Sequence, residues 1–131
     1  MNIPLTGVRH IDMDHSAIIN MLDELNNHLD GAFNLNETEY TDVLLHILDY
    51  CSRHCREEES TMHKINYPGI SFHHDKHTEM IFAIKDCLRA TMERKITRKE
   101  NVQKCREIIY DHITRCDSSF ATFCKEHDIY L

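Results

Sequence analysis

Four segments of this chain carry apolar residues at intervals of three and four positions, which is the spacing of one face of an α-helix. With only 3 glycines and 2 prolines, the chain has little material for the tight turns of a β-protein. Short connections separate the four segments, so we predict an all-α protein folded as an antiparallel up-down four-helix bundle. The four stripes comprise Ile11, His15, Ile18, Ile19, Leu22, Leu25 and Leu29; Tyr40, Val43, Leu44, Ile47, Cys51, His54, Glu58, Thr61 and Ile65; Ile70, His73, His77, Ile81, Ile84 and Leu88; and Val102, Cys105, Ile109, His112, Cys116, Phe120 and Phe123.

Residues that cap or break helices predict where these segments begin and end. Asn36 and Thr97 each precede a stripe and are followed three residues later by glutamate, which is the pattern of a capping box. Gly31 is a natural C-terminal stop for the first helix. Pro68 breaks the chain between the second and third helices, and we expect it in the first turn of the third.

Length and charge limit the classes of protein that the chain can be. At 131 residues it is long enough for one core and too short for two ordinary domains, so we expect a single domain over residues 1–131. A formal net charge of −7 argues against nucleic acid as a partner. No apolar run approaches the roughly 20 residues that span a bilayer, and the start lacks the pattern of a signal peptide. We therefore expect a cytoplasmic protein with no membrane partner.

The cysteines and most of the histidines have ordinary explanations. The 6 cysteines form no C-x-x-C pair and fall inside helical patterns, so we expect reduced, partly buried thiols. Six of the 11 histidines lie off the stripes or near helix ends, and polar groups there default to solvent. These expected surface residues are His10, His28, His46, His63, His74 and His127.

The remaining histidines are harder to explain, because every stripe carries at least one of them. A bundle core would have to bury five imidazoles and the carboxylate of Glu58, and each buried polar group without a partner costs a few kcal/mol. A bound metal would satisfy them directly. His54 and Glu58 are four residues apart and so lie one turn apart on one helix face, and His73 and His77 repeat that spacing.

The spacing of His112 and Asp117 does not fit a regular helix. Five residues correspond to a rotation of about 140° at 3.6 residues per turn, which would separate the two side chains. Either Asp117 leans back toward the helix axis, or the helix contains a single π-type turn.

The ordered motifs IDMDH, HCREEE, YPGISFHHDKH and HITRCD resemble the pattern of the hemerythrin family over nearly the whole chain. The resemblance implies a non-haem di-iron site whose two iron ions, Fe2+ or Fe3+, share an oxo or hydroxo bridge. It implies three histidine ligands on one iron, two on the other, and two carboxylates that bridge the pair. Carried over residue by residue, these are His73, His77 and His112; His15 and His54; and Glu58 and Asp117.

In such a site the iron with two histidines is one ligand short of octahedral coordination, and an open position is where a small ligand binds. The resemblance implies O2 as that ligand, with NO or a small anion as alternatives. It therefore implies reversible O2 binding by an oxygen carrier, storage or delivery protein. Apolar residues flank the predicted ligands, although Ile108 stands where the family often has tryptophan. The flanking residues are Ile18, Ile19, Ile108, Ile109 and Phe120.

Two other functions remain open from the sequence. The first is a sensor of O2, NO or redox state, which we expect to act through a separate partner protein. The second is a di-iron oxidase or peroxidase. Ferritin-like enzymes of that class use E-x-x-H pairs and a carboxylate-rich set of ligands, and this chain contains no E-x-x-H. An imidazole-rich site favours stable ligand binding over strong oxidants.

Overall fold

The computed structural model describes residues 5–30 and 35–130, and this part of the chain is helical without strands. Each helix follows one of the apolar stripes read from the sequence. The predicted all-α fold is therefore confirmed. The elements are α1 (Arg9–Asp30), α2 (Glu37–Lys64), α3 (Ile70–Met92), α4 (Arg98–His112), a π-helical segment (Ile113–Asp117) and α5 (Ser118–Glu126).

The last three elements form one continuous helical rod, because the residues at both junctions keep the right-handed α conformation. The molecule thus has four rods, and α1, α2, α3 and α4 pack in a ring in which each contacts two others. This arrangement confirms the four-helix bundle. The antiparallel direction of the helices stays a prediction. Two contacts between α1 and α4 support it, since His15 meets Asp117 whereas Asp23, farther along α1, meets the earlier residue Arg106.

The helix starts agree with the capping signals in the sequence. The side chain of Asn36 accepts a hydrogen bond from the backbone of Glu39 at 2.8 Å, and Thr97 accepts one from Glu100 at 3.1 Å. Both capping boxes are complete. The predicted stop at Gly31 lies outside the described residues.

The expectation for Pro68 was wrong in detail. Pro68 lies in the turn before α3, which begins at Ile70, rather than in the first turn of that helix. The turn is closed by Tyr67, whose ring covers Gly69: a Cβ atom at position 69 would meet that ring at 2.8 Å. A side chain at position 69 would have to displace this ring, so glycine suits the residue directly before α3.

Two apolar clusters fill the bundle, and a polar layer separates them along the helices. In α1 the buried His15 falls between Ile11 of the smaller cluster and Ile18 of the larger. Glu58 of α2 and Asp117 of the π segment occupy the same intermediate position on their rods. The smaller cluster comprises Val8, Ile11, Met62, Phe120, Ala121 and Cys124. The larger includes Ile18, Leu22, Leu25, Leu44, Ile47, Val102, Ile109 and Ile113.

Two further expectations can be compared with the structure. All six cysteines are free, and five of them are buried, as expected for packed thiols. None of the described helices combines the length and the apolar character that a membrane crossing requires.

Candidate metal centre

The seven residues predicted as ligands come together in the polar layer between the two apolar clusters. All are buried, with His112 the most exposed at 8% and Asp117 fully covered. Their donor atoms form two groups, within each of which all atoms lie within 4.8 Å of one another. Glu58 and Asp117 belong to both groups, so the site is two adjacent clusters that share their carboxylates. The groups are His73, His77 and His112 with the two carboxylates, and His15 and His54 with the same two.

Glu58 divides its two oxygens between the groups. Its Oε1 lies 2.7 Å from Nε2 of His73 and 3.2 Å from Nε2 of His77. Its Oε2 lies 3.2 Å from Nε2 of His54, on the other side. One carboxylate therefore faces both clusters of imidazoles.

Asp117 repeats this division from the opposite rod. Its Oδ1 lies 2.9 Å from Nε2 of His73 and 3.2 Å from Nε2 of His112. Its Oδ2 lies 2.8 Å from Nε2 of His15. Each group of imidazoles thus receives one oxygen from each carboxylate.

The π-helical segment explains how Asp117 reaches the site. The backbone N–H of Ser118 donates to the carbonyl of Ile113, five residues earlier, so this turn contains one extra residue. The extra residue cancels most of the rotation that would separate His112 from Asp117 in a regular helix. Of the two explanations that the sequence left open, the structure has the π-type turn.

The chemistry of the donor set fits a metal. Several buried atoms of the site have no hydrogen-bond partner among the described residues, although oppositely polar atoms lie close by. A buried polar atom without a partner costs roughly 1–3 kcal/mol, so this many in one layer would be expensive unless a cation joined them. Imidazole nitrogens and carboxylate oxygens are ligands that iron and other transition metals accept. The atoms that face the centre are His54 Nε2, Glu58 Oε1 and Oε2, His77 Nε2, His112 Nε2 and Asp117 Oδ2.

The carboxylates and imidazoles stabilise opposite charges on each other. Burial and the charge of Asp117 would raise the pKa of Glu58, but contacts with the surrounding imidazoles outweigh both and lower it to about 2. The pKa of Asp117 is likewise held well below its usual range. Burial would lower the pKa of His54 and of His73, but the carboxylates raise both to about 9. Both carboxylates are therefore ionised and available to cations at neutral pH.

Two carboxylates outside the predicted ligand set also touch the site. Asp14 contacts His54, and Glu59 contacts His77, in each case at the ring nitrogen that faces away from the centre. Sequence reasoning missed both, because they lie off the apolar stripes. The available signal was adjacency, since Asp14 precedes His15 and Glu59 follows Glu58, and a helix turns such neighbours by about 100° to the flank of the same site.

The histidines expected at the surface are exposed, which confirms that assignment. His10 lies in the first turn of α1, which begins at Arg9, two residues before the first residue of the stripe, Ile11. His74 is exposed but not isolated, because it contacts Glu59.

Surface clefts reach toward the three-histidine group. One of about 280 Å³ between α2 and α3 is lined by Cys55, Glu59, His77 and Phe82, among others. Another of about 440 Å³ lies between α3 and α4. Its wall includes Ile108, Met80, Cys116 and His112, so Ile108 faces this cleft rather than the fully buried interior.

Comparison with known protein families gave one result. The family model of the hemerythrin HHE cation-binding domain matches residues 6–124, which is most of the chain. The chain belongs to the hemerythrin family. This hemerythrin-family chain is therefore a metal-binding protein with a helical bundle around its His, Glu and Asp cluster. The search of curated proteins and the search of solved structures each returned no match.

Proposed function

We propose that this hemerythrin-family protein binds two iron ions and uses them to bind O2 reversibly. The proposal rests on the position of the two carboxylates. Glu58 and Asp117 each present one oxygen to each group of imidazoles. One metal would be held by the three-histidine group and the other by His15 and His54. A single mononuclear site would leave one imidazole group and two carboxylate oxygens without a cation.

Ligand counting indicates where a small molecule would bind. If an oxo or hydroxo group joins the two irons, each iron gains three bridging oxygens. Three histidines then complete six ligands around one iron, whereas His15 and His54 bring the other to five. When bound, the pair of ferrous ions supplies two electrons and one vacant position for a diatomic ligand. NO or a small anion would compete for the same position.

The surrounding side chains favour reversible binding. Ile18 and Ile19 lie one turn from His15 on α1 and are almost fully buried, and Ile109 and Phe120 flank the ligands of the fourth rod. These apolar groups exclude water and supply no proton to a bound ligand, which limits further reaction. These apolar side chains support the proposal because they would keep the surroundings of a bound diatomic ligand free of proton donors.

The proposal is tested by optical spectra of iron-loaded protein through repeated cycles. Anaerobically reduced protein should be nearly colourless, should gain a visible charge-transfer band in O2, and should lose it under argon. Metal analysis of the same sample should give two irons per chain. Irreversible loss of the band in the first cycle, with steady O2 uptake when a reductant is supplied, would instead identify an oxidase or peroxidase.

A further inference from the structure

Two carboxylates outside the ligand set hold the outward-facing nitrogens of two ligand histidines. The first is Asp14, whose Oδ2 accepts a hydrogen bond from Nδ1 of His54 at 2.8 Å. Its other oxygen, Oδ1, accepts one from the hydroxyl of Tyr50 at 3.1 Å. Asp14 and Tyr50 are half-buried, so this chain of hydrogen bonds runs from the metal layer toward the surface between α1 and α2.

The second is Glu59, which holds the outward nitrogen of a histidine in the three-histidine group. Its Oε2 accepts a hydrogen bond from Nδ1 of His77 at 2.7 Å. Its Oε1 contacts Nδ1 of the exposed His74, one turn back on α3. Glu59 is half-buried at the cleft between α2 and α3. Both outer carboxylates are thus held at both oxygens, which restricts their rotation.

The contacts decide which nitrogen of each imidazole faces the metal layer. A carboxylate can only accept, so Nδ1 of His54 and of His77 must carry the proton in these bonds, and Nε2 is the nitrogen whose lone pair a metal can take after displacing any proton there. Nε2 of both rings is the atom that faces Glu58. The hydrogen bonds therefore fix both the tautomer and the ring orientation that metal binding needs.

We propose that Asp14 and Glu59 are positioning residues, one for each metal of the centre. Asp14 orients His54 in the two-histidine group, and Glu59 orients His77 in the three-histidine group. This inference rests on the proposed function. Within the two-histidine group only His54 is positioned by an outer carboxylate, because the outward Nδ1 of His15 has no hydrogen-bond partner among the described residues.

The test is a titration of metal-free protein with Co2+, followed by absorbance and by competition with a chelator, which needs neither iron nor O2. Asp14→Ala should weaken one of the two Co2+ sites by about 10- to 100-fold, and Glu59→Ala should weaken the other by a similar factor. The visible spectrum should assign the affected site, because the two differ in the number of nitrogen ligands. Matched controls are Asp49→Ala and Glu79→Ala, which remove exposed carboxylates that pair only with Arg53 and Lys76 among the described residues.

Conservative variants separate positioning from a general loss of structure. In Asp14→Asn and Glu59→Gln the amide oxygen can still accept from Nδ1, while the amide N–H groups can donate to the Tyr50 hydroxyl and to Nδ1 of His74. These variants should recover most of the lost affinity. The thermal unfolding of the metal-free alanine variants should stay close to that of the matched controls.

The outcomes distinguish this inference from the function on which it rests. If the unmodified protein binds two Co2+ ions and both alanine variants bind them with unchanged affinity, the positioning role is overturned and the metal centre stands. Equal losses in the alanine and amide variants would also overturn it. If the unmodified protein binds no Co2+, the proposed centre itself fails, and the positioning role fails with it.

Discussion

The two groups of imidazoles in the polar layer are built alike and differ by one residue. His73, His77 and His112 come from α3 and α4, whereas His15 and His54 come from α1 and α2. Each group receives one oxygen of Glu58 and one of Asp117, and each contains one histidine held from outside by a carboxylate. Because everything else is shared or matched, the proposed function assigns the missing imidazole to one open position on one of the two metals.

Under the proposed function, this asymmetry would allow a nearly symmetric bundle to form a reactive centre. A closed structural metal site needs all its positions filled, whereas a site that binds a small ligand needs one left open. Under the proposed function, α3 and α4 would supply the half with every position filled (the filled half), and α1 and α2 the half with one position open (the open half). The following predictions test whether the two halves differ in this way.

Loss of a bridging carboxylate should have the largest effect, because it removes an oxygen from both halves at once. Glu58→Ala should reduce the iron content of protein produced with ample iron from two per chain to near zero. Glu57→Ala, which removes an exposed neighbour on α2, is the control and should keep both irons. Retention of two irons in Glu58→Ala would show that Glu58 does not join the halves.

Removal of one histidine should affect the two halves unequally. His54→Ala leaves a single imidazole in the open half, so we expect that metal to be lost while the other remains. His77→Ala leaves two imidazoles in the filled half, so weakened binding is expected rather than complete loss. Metal binding to the folded state stabilises it, so the melting temperature of iron-loaded protein should fall in the same order. Metal analysis and thermal scans measure both effects.

The exposed His74 provides the control for these two variants. His74→Ala should keep both irons and lower the affinity of the three-histidine group far less than His77→Ala does, because His74 only helps to hold Glu59 and lies outside the metal layer. Equal losses from His74→Ala and His77→Ala would mean that the ligand assignment on α3 is wrong.

A change in pH should alter the metal affinity of both halves in the same direction. Each half contains one imidazole whose pKa is raised to about 9: His54 in the open half and His73 in the filled half. These protons must leave when a metal binds. Affinity for Co2+ should therefore rise as pH increases from 6.5 toward 9, by up to about tenfold per unit for each proton displaced. Proton release measured during the Co2+ titration checks this, and a pH-independent affinity would contradict it.

The raised pKa values of His54 and His73 should make the metal-free protein less stable as pH rises, whereas metal affinity increases. A pKa raised on folding stabilises the folded state fully below the unfolded value near 6.5, and that contribution is lost as pH rises through about 9. Metal-free protein should therefore become easier to denature over this range, while metal-loaded protein should not. Urea denaturation at several pH values measures the difference.

Pocket variants should give the smallest effect and should again separate the halves. Ile19→Ala opens space one turn from His15, so the oxygenated form should be lost several-fold faster, at a stability cost of about 2–5 kcal/mol. Ile108→Ala widens a cleft that faces the filled half and should change this rate less. Stopped-flow spectra under argon measure the rates, and a larger effect from Ile108→Ala would contradict the assignment of the open half.

The sequence predicted the helices and the burial of several polar side chains, because both depend on local spacing. Stripes at three and four residues placed His54, Glu58, His73 and His77 on inward faces, and the structure buries all four. The spacing of His112 and Asp117 predicted an irregularity without deciding its form, since a π turn depends on the backbone and on packing around it.

Other features could not be read from the stripes. Asp14 and Glu59 lie on helix flanks, and only the packing of α1 on α2 and of α2 on α3 brings their carboxylates to a histidine. The position of Ile108 at a surface cleft likewise depends on how α3 and α4 are spaced. The positions of these three side chains depend on contacts between helices. The periodic pattern along a single helix gives no information about those contacts.

The number of small anions that bind per chain would test most directly whether the two metals differ by one open position. Iron-loaded, fully oxidised protein would be titrated with azide, with the charge-transfer absorbance and the iron content measured on the same sample. The account predicts two irons and one azide per chain at saturation, because only the metal held by His15 and His54 has a position free. Two azides per chain, or none while both irons remain bound, would contradict it.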